Sequence, residues 1–161
     1  MIFRIIGNLG GLHMFKISNH ICNELKDSKV IVKKIDMNER KEILNSILKK
    51  YINTSSKALL LWEKFIHYEA LSDDIAWSYI KDFVKDNECI IFFNQEEEKE
   101  MFLIKSGKDL NCVLSETYGF EFYITNKECS YLLCFNHHNI LYGCGNAEMW
   151  IIKLRNAMEL K

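Results

Sequence analysis

The sequence predicts an α+β fold: a helical N-terminal half packed on an antiparallel sheet, with a helix closing the chain. Three observations carry this. Apolar residues recur at three- and four-residue spacing from Ile43 to Tyr51, and the pattern switches near Asn87 to short continuous apolar runs. Residues 120–144 then contain three strand candidates divided by separators of hairpin length. With 161 residues, 48% apolar and 27% charged, the chain has the size and balance of one folded domain.

Residues 1–14 are expected to form an extension outside the compact domain, because Gly7, Gly10 and Gly11 interrupt any regular element there. Residues 15–161 then form the single domain. Ser18 to Leu25 reads as a short helix. Lys29 to Ile35 reads as a strand, on its β-branched Val30, Ile31, Val32 and Ile35. From Asn38, taken as a cap, Ile43, Leu44, Ile47, Leu48 and Tyr51 form one helical face. A second helix is expected from Ser55 or Ser56 to Ala70, carrying Leu59, Leu60, Trp62, Phe65 and Ile66. A third is expected after Ser72, with Ile75, Ala76, Tyr79, Ile80 and Phe83 inward.

Four strands follow, near 89–93, 120–125, 130–135 and 140–144. Between the first two lie an acidic turn, Gln95 to Glu100, and a helix from Asp109 to Tyr118 with Leu110, Val113 and Leu114 inward and Gly119 as its stop. In the strand 120–125, Phe120, Phe122 and Ile124 alternate with Glu121 and Tyr123, so one face is expected in the core and the other partly wet. Asn146 is expected to cap the last helix, with Met149, Trp150, Ile151, Ile152 and Leu154 packing on the sheet.

Charge and hydropathy exclude whole classes. Lys and Arg total 21 against 22 acidic residues, so the basic excess of a dedicated nucleic-acid binder is missing. Apolar runs such as Ala58 to Trp62 and Ile90 to Phe93 are too short for a transmembrane helix, and the N-terminus lacks a long apolar run with a small-residue cleavage site. The six cysteines lie mostly in apolar runs, which fits free buried thiols and a cytoplasmic setting.

Asn136-His137-His138-Asn139, beside Cys134 and Cys144, is the most conspicuous polar cluster. As a zinc site, Cys134 and His137 supply two donors, and the paired knuckles of a structural site are missing. As a thiol nucleophile, Cys134 sits among Leu132, Leu133 and Phe135, a setting that keeps the thiol neutral and inert. The favoured reading is a turn whose amides and imidazoles satisfy nearby backbone groups, with no catalytic residue, metal or cofactor assigned. Gly143-Cys144-Gly145 lacks the third glycine and the following strand of a dinucleotide site, and Gly7 to Gly11 lacks the Lys-Ser/Thr of a P-loop.

Charge is uneven along the chain. Glu88 to Glu128 holds nine acidic residues and four lysines, net −5, whereas Lys26 to Lys50 holds eight basic and four acidic residues, net +4. Such asymmetry steers a protein partner, and Glu96, Glu97, Glu98 and Glu100 are the expected exposed rim. Trp62, Trp77 and Trp150 fall on or beside apolar stripes, and Trp77 is the candidate exposed anchor.

The run Phe120 to Asn126, then Ser130 to Phe135, Asn136-His137-His138-Asn139 and Gly143-Cys144-Gly145, resembles small bacterial proteins of the polymorphic-toxin immunity type. The resemblance covers about a quarter of the chain and implies a non-catalytic protein that neutralises a cognate protein toxin, with no contact residue carried over. The alternatives are a metal- or thiol-dependent enzyme centred on residues 134–144, or a phage or regulatory inhibitor of another protein target.

Overall fold

The computed structural model describes residues 16–26, 28–116 and 120–160. The expected extension 1–14 and the stop at Gly119 lie outside them. Among the described residues the elements run α1 (Ile17–Glu24), β1 (Lys33–Lys34), α2 (Met37–Tyr51), β2 (Glu69–Ser72), α3 (Ile80–Val84), β3 (Cys89–Phe92), β4 (Phe102–Ile104), α4 (Gly107–Glu116), β5 (Phe122–Thr125), β6 (Tyr131–Phe135), β7 (Ile140–Gly145) and α5 (Glu148–Glu159). Single 3₁₀ turns at Trp62–Lys64 and Ala76–Tyr79 precede β2 and α3. The seven strands form one antiparallel sheet in the order β1-β4-β3-β5-β6-β7-β2, so the expected α+β class and the closing helix hold.

Both faces of this sheet are covered, which corrects the expectation of a partly wet face. On one side Ile91, Ile124, Leu133 and Leu141 pack with residues of α1, α3, α4 and α5, including Ile21, Ile80, Val113 and Ile151. On the other, Ile90, Phe92, Tyr123, Leu132 and Cys134 meet Ile43, Ile47 and Tyr51 of α2 together with Ile52 and Phe65. All four residues of β3, all four of β5 and all five of β6 are buried, so β3 and β6 read as unbroken apolar runs and β5 departs only at Thr125, whose buried hydroxyl donates to Tyr131 O (2.6 Å).

The segment 55–70 is not a helix. Ile52 and Phe65 form a bridge, Asn53 N–H donates to Lys64 O (2.8 Å), and Ile66 N–H donates to Tyr51 O (3.0 Å), closing residues 53–64 into a compact loop. Within it Asn53 Oδ1 accepts from Ser55 N–H, Ser56 Oγ from Ala58 N–H, and Glu63 Oε2 from Leu60 N–H. These local bonds replace helical ones. Beyond the loop, β7 draws Glu69–Ser72 into the sheet as an edge strand.

Smaller corrections have similar causes. Asp36 caps α2 in place of Asn38, its carboxylate accepting from Asn38 N–H (2.9 Å) and Glu39 N–H (3.1 Å). Asp73, not Ser72, supports the start of the third helical segment by accepting from Ile75 N–H (3.0 Å). Asn146 does not cap α5: Glu148 reaches back to accept from Gly145 N–H (2.8 Å) instead. The expected strand 29–35 pairs only at Lys33–Lys34, and two lysines on an edge strand discourage pairing with another chain. Arg155 guards the opposite edge by donating to Ala70 O (2.9 Å) and to the Glu69 carboxylate (2.9 Å).

The acidic turn divides in two. Glu96 and Glu97 face solvent, whereas Glu98 is only 7% exposed and is therefore removed from the expected rim. The Glu98 carboxylate accepts from Ser18 N–H at the start of α1 (2.9 Å) and from Glu100 N–H (3.0 Å). Burial alone raises its pKa, but the hydrogen bonds from Glu100, Ser18 and Lys99 outweigh burial and hold it below the usual glutamate value of 4.5. A depressed carboxylate contributes stability that is full above the ordinary value and is lost as pH falls through the folded one. Glu98→Gln is expected to destabilise the fold by about 1–2 kcal/mol at neutral pH, with the gap to wild type closing below pH 4.5. Urea unfolding at several pH values checks this, and a pH-independent gap would exclude the carboxylate as its source.

Candidate functional site: an aromatic ledge on a buried carboxylate

The turn between β6 and β7 is built by its asparagines. Asn136, fully buried, turns its Oδ1 back to accept from His138 N–H (3.0 Å) and Ile140 N–H (3.1 Å). Asn139 takes the left-handed conformation (φ 58°), which Asn tolerates better than most residues. It also donates from Nδ2 to Asp74 Oδ1 (2.9 Å), while its carbonyl accepts from Asp73 N–H (3.1 Å), so the turn is tied to the β2–α3 connection. His137 and His138 are thereby held exposed with ring centroids 4.0 Å apart.

Glu121 stands at the centre of this end of the molecule, 9% exposed in a chain segment otherwise apolar. One carboxylate oxygen accepts from the Tyr123 hydroxyl (2.9 Å). The other accepts from Trp62 Nε1–H (2.9 Å) and lies 3.3 Å from His137 Nδ1. A carboxylate this buried is tolerable only with such donors. Burial, followed by the neighbouring Cys134 and Glu121, pushes the Tyr123 hydroxyl far above its ordinary pKa, so it stays a donor.

Glu121 thus fastens the 53–64 loop to the sheet through Trp62. The Trp62 ring stacks on Tyr142 of β7 (centroids 5.6 Å, 22°) and meets His137 (6.1 Å) and His138 (5.9 Å) edge-on. Tyr68 and Phe65 pack against the same Tyr142 at 5.3 and 6.0 Å. The outcome is an aromatic ledge with a hydrogen-bonded base. Tyr68 is 48% exposed, and the same segment presents Ile66 at 45% and Leu59 at 88%. Exposed apolar groups concentrated in one segment mark a binding surface more often than scattered ones do.

The thiols beneath the ledge are sequestered. Cys134 is fully buried, and burial followed by the Glu121 charge pushes its pKa well above the thiol norm, while burial raises Cys144 to about 12. Both are neutral at physiological pH and so poor nucleophiles. All six cysteines are free. His137 does not converge with Cys134 on a common point: its imidazole faces Glu121 and Trp62, and no group of three or more His, Cys, Asp or Glu among the described residues is placed to hold a metal.

Of the residues singled out from sequence, His137 and His138 come together with the ledge, whereas the contacts of the acidic run are with other elements, Glu98 with the start of α1. Glu100 is engaged by Arg40 (3.1 Å). Trp77 is half-buried against the core, and it is Trp62 that joins the ledge, hydrogen-bonded to Glu121. The reading from sequence missed Glu121, Trp62, Tyr68 and Tyr142 as a unit. The one available signal was Glu121 itself, a carboxylate inside an apolar strand run.

Fold and site together define an α+β protein that presents an aromatic and imidazole ledge, and no helix among the described residues is long and apolar enough to cross a membrane. Residues 16–155 match the model of a family described as a family of unknown function, DUF6756, and the chain belongs to that family. No curated protein and no solved structure matches the chain.

Proposed function

We propose that this chain is a non-catalytic binding protein that neutralises a protein partner, and that the ledge around Trp62 is the surface that docks it. The observation that carries the reading is the half-exposed Tyr68 packed on Tyr142 beside Trp62, which is fixed on the buried Glu121 carboxylate, with Leu59 and Ile66 exposed in the same chain segment. Pre-ordered aromatic side chains give large contact area at little entropic cost, and interface energy concentrates in such residues. The resemblance of residues 120–145 to polymorphic-toxin immunity proteins makes a bacterial toxin the proposed partner, bound in a reducing cytoplasm.

Glu96 and Glu97 remain solvent-facing and are assigned a lesser, steering role, since exposed rim charges act mainly on association rate and salt dependence. The test is co-expression with the product of the neighbouring gene, scored by growth rescue and by the affinity of the purified pair. Leu59→Asp and Tyr68→Ala change exposed side chains, so the fold should survive. Each is expected to weaken binding about 30-fold or more, the effect of losing a hot spot of about 2 kcal/mol. Reversing Glu96 and Glu97 to Lys should alter mainly the association rate. Undiminished rescue and affinity in both ledge variants would remove the ledge from the interface.

A further inference from the structure

Glu121 is buried beneath the ledge without a fixed cation beside it. The Tyr123 hydroxyl and Trp62 Nε1–H are neutral donors, each at 2.9 Å, and His137 supplies a counter-charge only when protonated. Among the described residues no lysine or arginine pairs with this carboxylate. Neutral donors replace only part of the hydration that a carboxylate loses on burial. The fold already bears that loss at Glu121, so an opposite charge brought to it as water is excluded gains more than it would at an exposed carboxylate.

Of the three contacts, that of His137 is the longest. Its Nδ1 lies 3.3 Å from Glu121 Oε2 and its side chain is 45% exposed, so the imidazole can swing into solvent without disturbing the core. The place it leaves adjoins the Trp62 ring (6.1 Å between centroids) and the His138 ring (4.0 Å). A guanidinium suits that place. It is planar, lies readily against aromatic rings, and carries forked N–H donors that match a carboxylate.

The charge of the surrounding segment has the matching sign. Residues 53–74 carry four carboxylates against two lysines, and of those carboxylates Glu63 and Asp74 are exposed. An acidic side chain from a partner would meet Glu121 as a like charge, and an apolar one would leave it uncompensated in a drier setting. We propose that the protein docked on the ledge brings an arginine to Glu121, whose guanidinium displaces the His137 imidazole and lies against Trp62. This rests on the docking role proposed above and gives the chemistry of the partner.

Two measurements test the arginine contact separately from the docking role. The first titrates the full chain with Nα-acetyl-arginine methylamide, and with its citrulline and glutamate counterparts, following the NMR signals of the Trp62 indole and the His137 imidazole. Saturable shifts of both signals are expected from the arginine compound alone, in roughly the millimolar range for a ligand this small. They should fade at about 1 M salt, where the screening length is about 3 Å. His137→Ala changes an exposed side chain and should tighten the arginine compound about threefold, because it removes the imidazole that competes for the carboxylate. The second measures the cognate partner: His137→Ala should hold or raise its affinity, whereas Leu59→Asp and Tyr68→Ala lower it. A His137→Ala variant that weakens the partner along with them would keep the docking surface and overturn the displacement. Equal shifts from the citrulline compound, or none from the arginine compound, would overturn the arginine contact.

Discussion

Replacing Glu121 with Ala is expected to destabilise the protein by about 3 kcal/mol, since hydrogen bonds to a charged group contribute about 1.5–3 kcal/mol each and the freed donors stay buried. Two close donors lose their acceptor, Trp62 Nε1–H and the Tyr123 hydroxyl, the latter on a residue with no exposed surface. For a chain of this length the midpoint of thermal unfolding should fall by roughly 6–12 °C. Trp62 should also detach from Tyr142, shifting tryptophan emission to the red and weakening any partner that uses the ledge. Glu121→Gln retains one carbonyl acceptor at nearly the same size and should recover about half of the loss. A cycle combining Glu121→Ala with Tyr123→Phe should give a coupling above about 1 kcal/mol, because the two groups share one hydrogen bond. Near-wild-type stability of Glu121→Ala would mean that Glu121 does not hold the loop.

Gly107→Ala should be almost as damaging, for a reason internal to the helical layer. An added Cβ at Gly107 would collide with Lys81 O and approach Lys81 Cα at 2.9 Å and Lys81 C at 3.0 Å. These are backbone atoms of α3 and cannot move aside by changing rotamer. Gly107 N–H also donates to Lys85 O (2.6 Å), which locks the α3–α4 spacing. Two effects compete. Alanine within a helix is favoured over glycine by about 0.5–1 kcal/mol, whereas overpacking against fixed atoms costs typically 1–3 kcal/mol and sometimes more. The clash wins, so a net loss of about 2 kcal/mol is expected in urea unfolding. A neutral or stabilised variant would require α3 and α4 to sit farther apart than the structure places them.

The two substitutions also separate what is readable in the chain from what is not. Short-range patterns carried through well. The apolar face of α2 was legible because Ile43, Ile47 and Tyr51 repeat at helical spacing, and the β5–β6–β7 meander was legible because its strands are short apolar runs between polar turns. Segment 55–70 misled because Leu59, Leu60, Trp62, Phe65 and Ile66 also satisfy a helical spacing. Its fate was decided by partners distant in sequence: the Ile52–Phe65 bridge, Trp62 on Glu121, and β2 on β7. Glu98 misled in the same manner, as one carboxylate in a run of similar ones whose burial depends on Ser18, 80 positions away.

By itself, then, the sequence determined the α+β class, the position of the meander and the rigid Asn136–Asn139 turn, because periodicity, turn chemistry and side-chain-to-backbone bonds act over a few residues. Only the tertiary structure decided that the sheet is covered on both faces and that Glu121 points into a cage of donors. It also decided that His137 and His138 belong to an aromatic ledge with Trp62, Tyr68 and Tyr142. Those outcomes depend on which distant segments meet. A carboxylate in a strand is a solvated group or a buried anchor according to what closes over it, and here the closing piece is a loop 59 positions earlier in the chain.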